Sequence, residues 1–304
     1  MNETVAALDA GTNTFRIFIA SIDDAGCLKE YVKQLRFVGL GQGVDETRRF
    51  DQGAIERGLD ALREFAPMIR EYGCTKARFV ATSASRDAEN RDDFFVPAER
   101  ILGFAPELIS GEEEAQLSFN GVLSSVKECV DPVLVVDSGG GSTELVLGDA
   151  SGKIFEKISL NIGSRRIRER FLHSDRPTKE QLDAANEEIY RQLDDLSWLT
   201  DVNTFIGVAG TVTSMAALDL GLQSYDRSRV HRSSHEVDNL LRISKELNEM
   251  TSDQIAALGP VAPQRAKVLG AGSLIVAQLA RKVGKPLIAS ESDLLDGLAL
   301  AMLS

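Results

Sequence analysis

The chain has 304 residues, 43% of them apolar and 26% charged, a balance that suits two soluble globular domains with a full core each. Its 34 Lys and Arg against 46 Asp and Glu give a net charge of −12, which argues against a nucleic-acid surface built on basic excess. An anionic ligand would need a local pocket of basic groups or backbone N–H donors inside this acidic shell.

In chain order, apolar runs at residues 4–9, 14–21 and 28–38 read as strands, and "GLGQGVDE" (39–46) as a Gly-rich loop. Residues 51–72 carry Ile55, Leu59, Leu62, Phe65 and Ile69 at helical spacing. A strand over 76–82, a helix over 90–102, a strand over 106–109 and a helix from Ser110 to about residue 126 close the first half. The second half repeats the order. Strands are expected over 132–137, 143–148 and 153–160, then a helix over 179–196, a strand over 203–208 and a helix over 211–220. Helices over 236–249 and 263–283, a strand over 286–290 and a last helix over 293–303 follow.

Strands alternating with helices imply an α/β architecture, and the repeated order implies a duplicated domain. The expected division is residues 1–124, completed by a C-terminal helix over 291–304, and residues 125–290. The first three strands of each half should be antiparallel and the later ones parallel through helical crossovers. The Gly-rich hairpins "LDAGTNTFR" and "VDSGGGSTE" overlay: Asp9 on Asp137, Gly11 on Gly139, Thr14 on Ser142, Arg16 on Glu144. They are expected to set two anion-binding loops face to face across a cleft.

Gly139, Gly140 and Gly141 let backbone N–H groups converge on an anion, with Ser142 and Thr143 adding hydroxyls; a plain hairpin turn is the alternative. Asp137 and Glu144 at both strand ends are not required by a turn. They make sense beside phosphate if a divalent cation lies between. "ATSASRDAEN" offers the hydroxyls of Thr82, Ser83 and Ser85 and the planar fork of Arg86, or else a surface pair of Arg86 with Asp87. In "ISGEEEAQLSFNGV", Ser110 and Glu113 fit a helix cap and its box partner, which leaves Glu114 free to orient and deprotonate a water. Gly210 and Thr211 offer a helix N-terminus to an anion, or a plain capped turn.

His231 and His235 have i, i+4 spacing without a third ligand and read as surface or polar-interface residues. Gly270 and Gly272 suit close helix contact. Cys27, Cys74 and Cys129 form no CxxC pair and are expected as buried free thiols. The N-terminus lacks a leader pattern and no apolar run approaches a membrane span, so a cytoplasmic protein with neither membrane nor DNA partner is expected.

These stretches, with "VLGAGSLIVAQL", occur in an order that resembles the exopolyphosphatase / guanosine pentaphosphate phosphatase (Ppx/GppA) family, within the actin, sugar-kinase and chaperone-ATPase superfamily. The resemblance covers essentially the whole chain. It implies duplicated actin-like (ribonuclease H-like) α/β domains with a ligand cleft between them, and removal of terminal phosphate from polyphosphate or pppGpp. A homodimer is a further partner expectation, which the sequence does not fix. By motif position it implies Glu114 as the catalytic glutamate and Arg86 as a phosphate-binding arginine. Asp137 and Glu144 would be the metal-site acids for Mg²⁺ or another divalent cation, and Gly139 to Thr143 the phosphate loop. Asp9, Gly11, Thr12, Asn13 and Arg16 would form the N-terminal phosphate loop. The chain departs from the family where Gly39 replaces a frequent Arg, and where "LLDG" (294–297) replaces a common Leu-Arg-Glu-Gly; both losses weaken the case for long-chain polyphosphate. A pppGpp-specific phosphatase, a kinase or ATPase of the same superfamily, and a non-catalytic sensor of (p)ppGpp or polyphosphate are the alternatives.

Overall fold

In a computed structural model, which describes residues 3–126 and 128–304, the chain divides into two units: Met1–Ser125 with Ser292–Ser304, and Val126–Glu291. Unit 1 opens with β1 (Val5–Ala10), β2 (Thr14–Ile22) and β3 (Leu28–Phe37). It continues through α1 (Val44–Thr47), α2 (Gln52–Glu71), β4 (Lys76–Ala81), α3 (Ser83–Asp87), α4 (Asp92–Leu102), β5 (Glu107–Leu108) and α5 (Gly111–Ser125). Unit 2 holds β6 (Val133–Ser138), β7 (Thr143–Gly148), β8 (Ile154–Leu160), α6 (Ser164–Phe171), α7 (Lys179–Asp194), β9 (Thr204–Val208) and α8 (Ala209–Asp219). It ends with α9 (Arg227–Val230), β10 (Ser234–His235), α10 (Val237–Asn248), α11 (Ser252–Ala256), α12 (Ala266–Val283) and β11 (Leu287–Ala289). The last helix, α13 (Leu294–Leu303), returns to unit 1.

The two sheets share one topology, and the expected duplicated α/β fold is present. Unit 1 has the order β3-β2-β1-β4-β5; unit 2 reads β8-β7-β6-β9-β11 with β10 added at the edge. In both, the first three strands are antiparallel, while β1 with β4, β4 with β5, β6 with β9 and β9 with β11 are parallel. All six residues of β1 and of β6 are buried, as expected of central strands covered by helices on both faces. Helix α2 starts where the Asp51 carboxylate accepts the Ala54 N–H, and it buries Ile55, Leu59, Leu62 and Phe65.

Two local readings change. Residues 83–87, expected as loop, form α3, and residues 164–171, given no structure, form α6. Of the two alternatives for His235, surface or polar interface, the second holds: it is fully buried, 2.7 Å from both Asp219 Oδ2 and Ser233 Oγ, and pins β10 to the end of α8. The cysteines are free, as expected, but half-buried; burial pushes the Cys74 thiol up to about 11. Among the described residues no helix is long and apolar enough to cross a membrane.

Helix α13 completes the core of unit 1. Leu294, Leu295, Leu298, Ala299 and Met302 pack with Val5, Ala7, Phe18, Ala20 and Val80. The helix lies backbone on backbone against α5. A Cβ on Gly121 would overlap the Asp293 carbonyl oxygen, and one on Gly297 would overlap the Leu117 carbonyl oxygen. No flexible side chain can yield there. Gly121→Ala or Gly297→Ala should therefore cost about 3 kcal/mol or more of unfolding free energy, read from urea denaturation; a loss under about 1 kcal/mol would show that the two helices slide apart freely.

Candidate active site

In unit 2 the β6–β7 hairpin pairs Asp137 directly with Glu144. Both are buried. The Ser159 hydroxyl donates to Glu144 Oε1 at 2.7 Å. Between the strands, the Gly139 N–H donates to Ser142 O at 3.0 Å and closes the turn.

The three glycine carbonyls all point toward α6. Gly139 O accepts from Ser164 N–H (3.0 Å), Gly140 O from Arg165 and Arg166 N–H (2.9 and 3.2 Å), and Gly141 O from Arg166 Nε–H (2.7 Å). A trans peptide is planar with C=O and N–H opposed. The N–H groups of Gly140, Gly141 and Ser142 therefore point away from α6, and among the described residues they have no protein partner. This approach depends on Gly163, where a Cβ would lie 2.5 Å from Gly140 O. None of the three loop glycines has left-handed backbone, so a plain turn is not what requires them. The Thr143 hydroxyl is taken by Ile162 O at 2.7 Å.

Val208 pairs with Asp137 in parallel, so the turn into α8 begins beside the glycine loop at the same sheet edge. Ala209 there has φ 70, an uncommon value for a residue with a side chain. The Arg265 guanidinium covers the space where Gly210 would carry a Cβ, and α8 has no side-chain N-cap bond. Gly272 admits Thr211 and Ser164 to α12: a Cβ would lie 2.5 Å from Thr211 Oγ1 and 3.0 Å from Ser164 Cβ. Gly270 likewise admits Asn248.

In unit 1 the β1–β2 hairpin pairs Asp9 with Arg16 at the positions equivalent to Asp137 and Glu144. Arg16 donates through Nε and Nη2 to Asp9 Oδ2 (2.9 and 2.8 Å) and through Nη1 to Asp293 Oδ2. Its charge is thus engaged by two carboxylates. Burial pushes the Asp9 carboxyl up, Arg16 opposes this, and Asp293 adds to it. Burial also acts on Asp293, but Arg16 and Lys33 outweigh it and hold that carboxyl below its usual value. Lys33 donates to Asp296 at 2.9 Å. Here too the loop carbonyls are tied: Thr12 O accepts from Gly41 N–H, and Asn13 O from Val38 and Gly39 N–H, while Gly11 N–H donates to Thr14 O.

Arg86, on α3, donates from Nη1 to Glu114 Oε2 at 2.8 Å and to Ile109 O at 3.1 Å. The structure so brings together the two residues read as catalytic, while Asp87 pairs with Arg48 at 3.4 Å. Ser110 caps α5 by accepting the Glu113 N–H at 3.1 Å, but the Glu113 carboxylate turns to Arg78, 3.5 Å away. Glu114 is 8% exposed. Four buried side-chain polar atoms lack a hydrogen bond among the described residues, and three of them, Asp9 Oδ1, Ser85 Oγ and Ser138 Oγ, lie in the candidate motifs.

No cluster of three or more His, Cys, Asp or Glu able to hold a metal occurs among the described residues. Asp137 and Glu144 nevertheless fit Mg²⁺, which takes one or two carboxylates and completes its shell with phosphate and water. Two contributors escaped the sequence reading. Helix α6 was signalled by little more than Ile167 and Phe171 one turn apart, and Asp293 by a capping pattern unconnected in sequence to Arg16.

The profile of the Ppx/GppA phosphatase family matches residues 18–303. Exopolyphosphatase 2 of Mycobacterium tuberculosis (strain ATCC 25618 / H37Rv) is 39% identical over 314 residues, spanning 98% of each chain. The guanosine-5'-triphosphate,3'-diphosphate pyrophosphatase of Aeromonas hydrophila is 31% identical over 262 residues, 83% of this chain and 51% of that protein. The crystal structure of an exopolyphosphatase-like protein superposes with a TM-score of 0.94 at 39% identity, covering 99% of this chain and 98% of that one.

Because folding raises the Asp9 pKa, its contribution to stability is present below the ordinary value of 3.8 and is lost as pH rises through the folded value. An Asp9→Asn chain has nothing to ionise there. Its urea midpoint, relative to wild type, should climb as pH rises from 3 to 7; a difference independent of pH would show that Arg16 offsets the burial completely.

Proposed function

The chain belongs to the Ppx/GppA phosphatase family, and we propose that it hydrolyses the terminal phosphoanhydride bond of inorganic polyphosphate or of pppGpp. The observation that carries the reading is the unit 2 loop, with three outward N–H groups beside two buried, opposed acids. Those donors suit the oxygens of a terminal phosphate. Ser142, at the end of the loop, adds a hydroxyl. Asp137 and Glu144 would hold Mg²⁺ or another divalent cation, which supplies positive charge to the phosphoryl oxygens when bound.

Glu114 positions the attacking water and takes its proton. Arg86, bonded to Glu114, holds that carboxylate in place. Water oxygen bonds to the terminal phosphorus, the anhydride P–O bond breaks, and the shortened chain leaves with the bonding electrons. In unit 1, Asp9 and Arg16 fix the frame of the 11–14 loop, whose Gly11, Thr12 and Asn13 would meet a phosphate through the backbone. Gly210 and Thr211, beside the glycine loop, would meet a further phosphate.

Polyphosphate is the first choice of substrate. The relative named for it matches 98% of both chains, whereas the pppGpp relative is about twice as long. Phosphate release from polyphosphate, pppGpp and ATP, each with and without Mg²⁺, tests this. Release from polyphosphate is expected to dominate and to need the cation. ATP turnover alone would favour a kinase-like relative, and binding without release would favour a sensor. Glu114→Gln should lower turnover by about 10²–10⁴-fold while leaving phosphate affinity near wild type; unchanged turnover would remove Glu114 from the mechanism.

A further inference from the structure

Arg166 lies outside every segment to which that reading assigns a role. It is 8% exposed, in the first turn of α6. Two observations set it apart from an arginine that merely satisfies a carbonyl.

The first concerns the three outward peptides of the glycine loop. Those joining residues 139–140 and 140–141 are held by backbone N–H groups of α6, which no substitution removes. The peptide joining Gly141 to Ser142 is held, among the described residues, by the Arg166 side chain at 2.7 Å. Glycine has little steric preference to keep such a peptide from flipping. A flipped peptide would turn its carbonyl oxygen toward the anion.

The second is electrostatic. A helix N-terminus carries partial positive charge and favours acids in its first turn. The first turn of α6 has no acid and holds Arg165 and Arg166 instead. Arg165 pairs with Glu169 one turn on at 3.5 Å, whereas Arg166 turns its guanidinium to the glycine loop at Gly141 O. Arginine keeps its charge when buried.

We propose that Arg166 is a positioning residue for phosphate binding: it locks the Gly141–Ser142 peptide with its N–H outward and places a permanent positive charge beneath the bound phosphate. The inference rests on the phosphohydrolase reading. Loss of this tie acts on substrate and product phosphate alike, so it appears in KM and in product inhibition more than in kcat.

The test uses the full chain, wild type and the variants Arg166→Gln, Arg166→Lys and Gly163→Ala. The KM for polyphosphate, the inhibition constant of inorganic phosphate, kcat and the melting temperature are measured for each. Arg166→Gln should raise KM and the phosphate inhibition constant about tenfold, the scale of one charge-assisted hydrogen bond, with kcat within about threefold. Arg166→Lys, which keeps the charge, should recover part of the loss. Gly163→Ala, which displaces the loop as a whole, should weaken phosphate at least as much as Arg166→Gln. A folded Arg166→Gln with wild-type KM and phosphate inhibition overturns the proposal. If that variant does not fold, Arg166→Lys decides: a rise of threefold or more in both constants upholds it, and wild-type values overturn it. A wild-type chain that releases phosphate from neither polyphosphate nor pppGpp overturns the underlying reading instead.

Discussion

A peptide plane cannot turn its carbonyl one way without turning its N–H the other, and the candidate site rests on that rigidity. In unit 2 the first turn of α6 holds three consecutive carbonyls. In unit 1 residues 38–41 hold two. The donors are therefore aimed by contacts on the far side of the loop, before any ligand arrives. Such preorganisation spares a site the cost of reorienting dipoles when an anion enters. Each arrangement depends on a glycine outside the loop proper. Gly163 lets α6 approach Gly140, and Gly41 lets the following segment approach Thr12.

The duplication shows how one frame supports two electrostatic solutions. Asp9 faces Arg16 and Asp137 faces Glu144 at equivalent positions of equivalent hairpins. The first pair is an ion pair, and the second carboxylate it attracts, Asp293, is itself tied into the N-terminal turn of α13. Unit 1 thereby neutralises its own buried charges, with Lys33 and Asp296 extending the alternation. Unit 2 opposes acid to acid. The same frame thus carries a carboxylate and a guanidinium in one unit and two carboxylates in the other.

The duplicated fold was legible because strand and helix periodicities differ and the two halves repeat the same order. Both Asp-x-Gly hairpins, the cap at Ser110 and the close contact at Gly272 could be read from local pattern. What escaped depends on partners distant in sequence. Arg86 stands beside Asp87 in sequence, yet it donates to Glu114, 28 residues on. Arg16 meets Asp293 across 277 residues. The Glu113 N–H bonds Ser110 as the local pattern suggests, but its carboxylate lies 3.5 Å from Arg78 of β4. Helix α6 has a narrow apolar face, and its role comes from what its N–H groups touch rather than from its own composition.

Helix α13 gives the chain an order of assembly. Unit 2 is continuous in sequence, whereas unit 1 begins the chain and waits for its last thirteen residues. On a ribosome, Val5, Ala7, Phe18 and Leu117 would stand without their covering helix for as long as all of unit 2 takes to be made. The segment that closes this gap also brings Asp293 to Arg16 and seats itself against the helix that carries Glu114. The half that carries Glu114 is thus the one that needs residues from both sides of unit 2 in the sequence to close its core.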